Sequence, residues 1–471
     1  MLSSSVGLVV LAVTLLVFVV VGVRAHRRGA DVEDYVAARN SQDALTLGLS
    51  FVGAATGAWI LFAPPEVGAV AGPVGVLGYA AGAAAPVLLF ALLGPRLRAV
   101  VPAGHSLPEF LRVRFGPAVA AWMALVSVGY MLLFVTAELT AAAAVTSALA
   151  GIDPAVTVLA VTAATLLYTT VGGLRSSLRT DRFQAWLILG LLAAGCWALA
   201  TGLPDPSRAW ATGAAGSTGG LEVALTLILA VTAANLFHQG YWQRVWAAHD
   251  TATLRRGAVL GALAAAPVVA LVGAMGVLAA GSGVDLGSPP APFFALLTGL
   301  PAWVAVVVLV LAVALVSSSV DTLQTALASL VTSQRRDPSL TRARWTTVLF
   351  MVPAVVVALQ GFGVLRLFLI ADLLCAGIAV PALLGLWARA TPAGALAGSV
   401  AGLVGGLLGG AVPSGSLAGG LLAATFPSGA PTLAPFLGAL VVSAVVTVAV
   451  SLLGRRTEDL EAIGARVAPI S

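Results

Sequence analysis

The sequence predicts an all-α integral membrane protein with about 13 transmembrane helices, and three observations carry that reading. First, 59% of the 471 residues are hydrophobic and only 9% are charged, with a mean hydropathy of +1.03. A water-facing globule of this length has no interior large enough for so much apolar surface. Second, apolar windows of about 20 residues, the length of helix that crosses roughly 30 Å of hydrocarbon, recur from one end to the other. Third, the chain has no lysine, and all of its 24 basic residues except Arg208 and Arg366 group at every second end of the successive windows.

In chain order the windows lie at about 5–23, 45–70, 74–94, 117–149, 155–173, 183–201, 221–247, 257–280, 302–333, 345–361, 364–388, 393–412 and 434–453. The first reads as a retained helix and not as a cleaved signal peptide, because its charges follow it in "RAHRRGADVED" and no A-x-A cleavage site precedes a mature domain. The arginine asymmetry predicts a plasma or inner membrane protein with the N-terminus outside and the C-terminus cytoplasmic. Basic loops facing anionic lipid also account for the net charge of +5 without any nucleic-acid partner.

Several residues point to packing and not to chemistry. Cys196 and Cys375 sit mid-window, too isolated for a disulfide framework or a metal site. His238 reads as a hydrogen-bonded helix residue, and the spacing of Gly398, Gly402, Gly406 and Gly410 as a small-residue stripe for close helix contact. No phosphate-binding loop, hydrolase elbow, zinc motif or nucleophile–base pair is visible, so an enzyme is not expected.

The informative residues are the polar ones inside the windows. Glu66, Glu138, Asp181, Asp321 and Asp372 are acids at membrane depth, where ionisable groups cost a few kcal/mol each and mark cavities. For Glu66 and Asp372 a helix-end carboxylate reaching the interface is an equal reading. Asp181 and Asp321 sit among other oxygen-bearing side chains, and the stretch "LVSSSVDTLQTALASL" (315–330) is the densest of these. Back-bonding of Ser or Thr to its own helix explains one such residue but not so many together.

The run "VGGLRSSLRTDRFQ" (171–184) resembles the G-G-x-x-x-x-x-x-T-D-x-x-Q signature of the sodium:solute symporter family, which includes the sodium/proline and sodium/galactose symporters. "DYVAARN" (34–40), "GAWILFAPPE" (57–66) and "YWQRVWAAHD" (241–250) agree with it, so the likeness covers nearly the whole chain. The resemblance implies a LeuT-like fold in one transmembrane domain, 1–453. An extra helix and loop (1–44) precede two inverted five-helix repeats (45–201 and 221–388), with two further helices (389–453) and a short cytoplasmic tail (454–471) after them. In such folds the first helix of each repeat is broken at midplane, and the small residues of "FVGAATGAW" (51–59) and "VTAANLFHQG" (231–240) suit a break.

Sodium is a hard cation that takes oxygen ligands. Carried over residue by residue, the resemblance puts sodium-binding carbonyls at Gly53 and Thr56 and hydroxyls within Ser317, Ser318 and Ser319. Anchoring on Asp321 selects Ser318 and Ser319; anchoring on Ala314 selects Ser317 and Ser318. Asp181 then borders the ion pathway, with Asp321 and Thr322 where some members hold a second sodium. The implied substrate site draws on Trp59, Tyr130, Phe134, Glu138, Asn235 and Phe237, with Glu138 answering a substrate ammonium or bonding a neighbouring helix. Ala55 stands where the proline carriers hold an acid, which argues against proline.

The expectation is a sodium-coupled symporter that imports a small organic solute (an amino acid, a carboxylate or a urea-like molecule) by alternating access and works as a monomer. Proton coupling through Asp181 and Asp321 is one rival. A transporter-like sensor is another, against which the brevity of the tail argues.

Overall fold

The computed structural model describes residues 2–24, 37–287, 290–333, 339–427, 430–454 and 457–463. The start of "DYVAARN" and the last eight residues of the tail lie outside them. The described residues are helical, with one isolated bridge between Gln42 and Ala248. The helices are α1 (Ser4–Arg24), α2 (Ala44–Ala55), α3 (Ala63–Val100), α4 (Leu107–Phe115), α5 (Pro117–Ala150), α6 (Pro154–Thr201), α7 (Pro206–Ala215) and α8 (Gly220–Asn235). They continue with α9 (Gln239–Ala247), α10 (Thr251–Ser282), α11 (Ala302–Ser333), α12 (Leu340–Ala358), α13 (Val364–Leu383), α14 (Pro392–Ser414), α15 (Leu417–Ala424) and α16 (Leu433–Leu453).

Among the described residues, 11 helical stretches are long and apolar enough to cross a membrane. The windows expected at 45–70 and 221–247 differ from these because each is interrupted. After α2 the chain is extended at Thr56 and Gly57, makes a short 3-10 turn at Ala58–Leu61 and resumes as α3. Between α8 and α9 the break spans Leu236 to His238, where His238 Nδ1 accepts the Gly240 amide at 3.1 Å. His238 is thus a helix cap inside the break. Both interruptions are buried in protein, where irregular backbone is tolerated at membrane depth.

A third departure lies at Gly173, whose φ of 56° and ψ of −151° turn the chain without a side-chain clash. The sequence reading places a loop between the windows at 155–173 and 183–201. Instead α6 resumes immediately after the turn, which keeps the backbone hydrogen-bonded and carries Asp181 into the bundle on a helix.

Polar side chains at the loop ends start many of the helices. Asp43 accepts the Thr46 amide at 2.9 Å, Ser106 that of Glu109 at 3.2 Å, and Asp250 that of Thr253 at 2.7 Å. The Thr253 amide and hydroxyl hold the Asp250 carboxyl down at about 2. In the interior, α2 packs on α6 and α10, α11 on α5 and α6, and α13 on α5 and α8, while α1 and α16 flank the assembly. Exposed apolar side chains such as Leu92, Trp197, Leu349 and Val412 lie on its outer faces, as a lipid-facing surface requires. The glycine stripe of α14 meets α13 and α16 closely: a Cβ at Gly402 would lie 2.1 Å from the Gly377 carbonyl, and one at Gly398 1.8 Å from Thr447 Oγ1.

Candidate substrate and ion sites

The two broken helices and their neighbours enclose a cavity of about 30 Å³. Trp59, Tyr79, Tyr130, Phe134, Tyr241 and Phe368 wall it, and Asn235 and Asp372 supply polar atoms. The rings are in mutual contact: Trp59 lies 5.5 Å from Tyr79 and 5.6 Å from Phe368, and Phe368 lies 4.8 Å from Phe134 between centroids. Asn235 donates its amide to the Val231 carbonyl at 2.8 Å, leaving its own oxygen for the cavity. Asp372, on α13, is 5% exposed and has no hydrogen-bond partner among the described residues. A buried, unpaired carboxylate among aromatic rings is complementary to a cation.

Glu138 stands beside the first break. Its Oε2 accepts the Ala58 amide at 2.6 Å, taking up a donor that the 3-10 turn leaves free, while its Oε1 is buried without a hydrogen-bond partner among the described residues. Gly57 makes the approach possible, because a Cβ there would lie 1.8 Å from Glu138 Oε1. Of the two readings of Glu138, the structure shows the bond to a neighbouring segment.

On the other side of the break lies a polar network. Asp181 Oδ2 accepts from Arg244 Nη2 at 2.8 Å and from Ser50 Oγ at 2.6 Å, and Oδ1 accepts from Ser318 Oγ at 2.9 Å. Arg244 Nε also donates to Ser50 Oγ at 2.9 Å and Nη1 to the Gly240 carbonyl at 2.8 Å. Asp321 has separate partners, with Ser177 Oγ donating at 2.7 Å, Tyr168 at 2.8 Å and Thr180 Oγ1 at 3.3 Å. The two aspartates therefore share no donor, and Asp181 is already ion-paired. Gly53 faces this network: a Cβ on it would lie 2.9 Å from Ser318 Oγ and 3.2 Å from Asp181 Oδ1. Because α2 ends at Ala55, the Val52 carbonyl accepts the last amide, that of Thr56, and the Gly53 carbonyl that follows is left without an intrahelical partner.

The residues nominated from sequence divide clearly. Trp59, Tyr130, Phe134 and Asn235 line the cavity, whereas Glu138 and Phe237 do not. Phe237 is packed in the core and its carbonyl accepts from Ser127 Oγ at 2.6 Å. Ser318 reaches Asp181, and the buried hydroxyls of Ser317 and Ser319 have no hydrogen-bond partner among the described residues. The Thr56 hydroxyl bonds back to the Val52 carbonyl at 2.7 Å, while Thr322 Oγ1 lies 3.4 Å from Arg244 Nη2. Ala314 is buried one turn before Ser318. Asp372 is not an interfacial carboxylate, and Tyr79, Tyr241, Phe368, Ser50 and Arg244 join the sites without having been nominated. Arg244 had a usable signal. It lies inside the apolar window 221–247, and a buried cation there requires an acid nearby.

A bundle whose central helices are broken around a polar-tipped cavity defines the class of membrane solute transporters. Residues 35–199 match the sodium:solute symporter family. A spermidine transporter of Candida albicans is 30% identical over 362 residues, which cover 75% of this chain and 70% of that one. The chain belongs to the sodium:solute symporter family. Its fold is that of LeuT-type transporters. A Na+-coupled sialic acid symporter in its substrate-bound outward-open state superposes with a TM-score of 0.74 at 16% identity, covering 96% of this chain and 98% of that chain. A nucleobase-cation-symport-1 family transporter with bromovinylhydantoin bound superposes with a TM-score of 0.61 at 14% identity, covering 94% of this chain and all of that one.

Proposed function

We propose that this transporter imports a small organic amine in its cationic form, coupled to sodium, by alternating access. The observation that carries the substrate class is Asp372, a buried carboxylate without a protein partner among the described residues, facing a cavity walled by aromatic rings. Ring faces and a carboxylate together attract an ammonium, and desolvation strengthens the attraction. Of the classes open from sequence, a simple carboxylate would bring like charge to Asp372. The similarity to a spermidine transporter agrees with an amine.

Sodium coupling rests on the oxygens between α2 and α11. The Gly53 and Thr56 carbonyls, the Ala314 carbonyl and the hydroxyls of Ser317 and Ser318 form the proposed ion site, and Ser317 Oγ is buried and unpaired. Ser318 donates its proton to Asp181, which turns its lone pairs away from the carboxylate and makes Asp181 a positioning residue for an ion ligand. Arg244 neutralises Asp181 beforehand, so a single sodium ion needs no further carboxylate. Asp321 and Thr322 belong to the adjoining cytoplasmic half of the pathway.

In this reading residues 45–201 and 221–388 are the two inverted repeats, the arginine-rich loops are cytoplasmic, and one copy of the chain is the working unit. The decisive experiment is uptake into proteoliposomes from a panel of amines, amino acids, carboxylates and urea, with and without an inward sodium gradient. Gradient-dependent uptake confined to cationic amines is the expected result. Uptake of carboxylates in preference to amines, or uptake indifferent to sodium, would overturn the corresponding half of the proposal.

A further inference from the structure

Beyond the aromatic cavity lies a larger one of about 620 Å³, bounded by residues of α5, by Pro290 and Pro427, and by the segment 358–366. Three elements serve both cavities in the same order. Trp59, Phe134 and Phe368 line the inner one; Phe62, Thr140 and Leu365, a few residues away on the same segments, line the outer one. The two cavities are therefore stacked along one path.

Glu66, in the first turn of α3, lines the outer cavity and also an apolar recess that it shares with Val67, Leu365 and Pro431. Its carboxylate, like that of Asp372, has no hydrogen-bond partner among the described residues. The cation lining the same cavity, Arg366, directs Nε to the Thr425 carbonyl at 2.9 Å. Leu365, beside Glu66, precedes Asp372 by seven residues on α13, which at about 1.5 Å per residue is roughly 10 Å along the axis. An extended triamine has that reach. A monoamine held at Asp372 leaves Glu66 unanswered.

We infer that Glu66 is a second anionic subsite, which receives the distal ammonium of a di- or polyamine whose first ammonium sits against Asp372. This deepens the amine reading and rests on it. The carboxylate at the outer cavity is a specificity determinant: it favours multiply charged amines over single ones, without which the aromatic cavity would accept any small organic cation.

The test compares butylamine, putrescine and spermidine as competitors for uptake in proteoliposomes carrying the wild type, Glu66→Gln, Glu66→Asp or Asp372→Asn. Glu66→Gln should weaken spermidine roughly tenfold more than butylamine, as expected for an ion pair between the exposed and the buried cases. Glu66→Asp should recover much of the difference because it keeps the charge. Asp372→Asn should weaken all three amines. If Glu66→Gln affects butylamine and spermidine alike, or neither, the second subsite is wrong while the amine site stands. If Asp372→Asn leaves all three unchanged, the amine reading itself fails and the second subsite falls with it.

Discussion

The two buried acidic regions of this transporter sit on opposite sides of the same helix break, and they are built on opposite principles. Around Asp181 and Asp321 the carboxylate oxygens are answered from within the protein, by a guanidinium, a tyrosine and four hydroxyls. Around Asp372 the protein supplies aromatic rings, and no donor among the described residues bonds to the carboxylate. A buried charge costs several kcal/mol unless it is paired, so the first region completes its electrostatics on folding and the second does so only when something binds. In the proposed reading, the difference separates acids that hold the structure and orient an ion ligand from an acid that selects the solute.

The comparison can be broken most directly at Arg244. Arg244→Met strands a buried Asp181 carboxylate, and the expected cost is about 3–5 kcal/mol of stability, read as a lower thermal unfolding midpoint of the detergent-solubilised protein. Adding Asp181→Leu should restore much of the loss. An unchanged midpoint in the single variant would mean that the inner network is not structural. Asp372→Asn should behave in the reverse way. Amine binding, followed through the fluorescence of Trp59 and its neighbours, should weaken by about 2–5 kcal/mol, the cost of removing one member of a buried charge pair. The unfolding midpoint should hold or rise, because an unpaired buried charge has been removed.

A smaller effect is expected at Ser318. Ser318→Ala removes one oxygen from the proposed ion site and should cost about 1–3 kcal/mol, roughly five- to a hundredfold in sodium affinity. Linkage predicts that apparent amine affinity falls at low sodium and recovers at high sodium. Ser399→Ala is the control, since that hydroxyl only bonds the Leu396 carbonyl of its own helix at 2.9 Å. Uptake with unaltered sodium dependence in Ser318→Ala would move the coupling ion elsewhere. The smallest effect belongs to Glu138→Gln, which keeps an acceptor for the Ala58 amide and should shift amine affinity by less than about 1 kcal/mol. A loss matching that of Asp372→Asn would instead make Glu138 a second ammonium partner within the inner cavity.

Membrane insertion and the positions of the two broken helices were legible in the chain, whereas the count of thirteen windows exceeds the 11 spanning helices among the described residues because two windows are interrupted. Each follows from local composition: runs of apolar residues long enough to span hydrocarbon, and small residues where a helix can open. The family resemblance was equally legible in "VGGLRSSLRTDRFQ". Four of the six substrate residues nominated from sequence also reach the cavity, because the likeness names the helices that face inward.

The assignment of the acids was decided only by tertiary structure. As a string of letters, Asp181 stands among oxygen-bearing side chains and Asp372 among apolar ones, but neither setting says whether the carboxylate is paired in the fold. Their difference lies in partners 63 and 137 residues away from Asp181, Arg244 and Ser318, and in rings brought to Asp372 from four other helical segments. Burial cost depends on what surrounds a charge in space. Local sequence therefore placed the charges at membrane depth, and only the packing of distant helices determined which are answered by protein groups and which are left unpaired among the described residues.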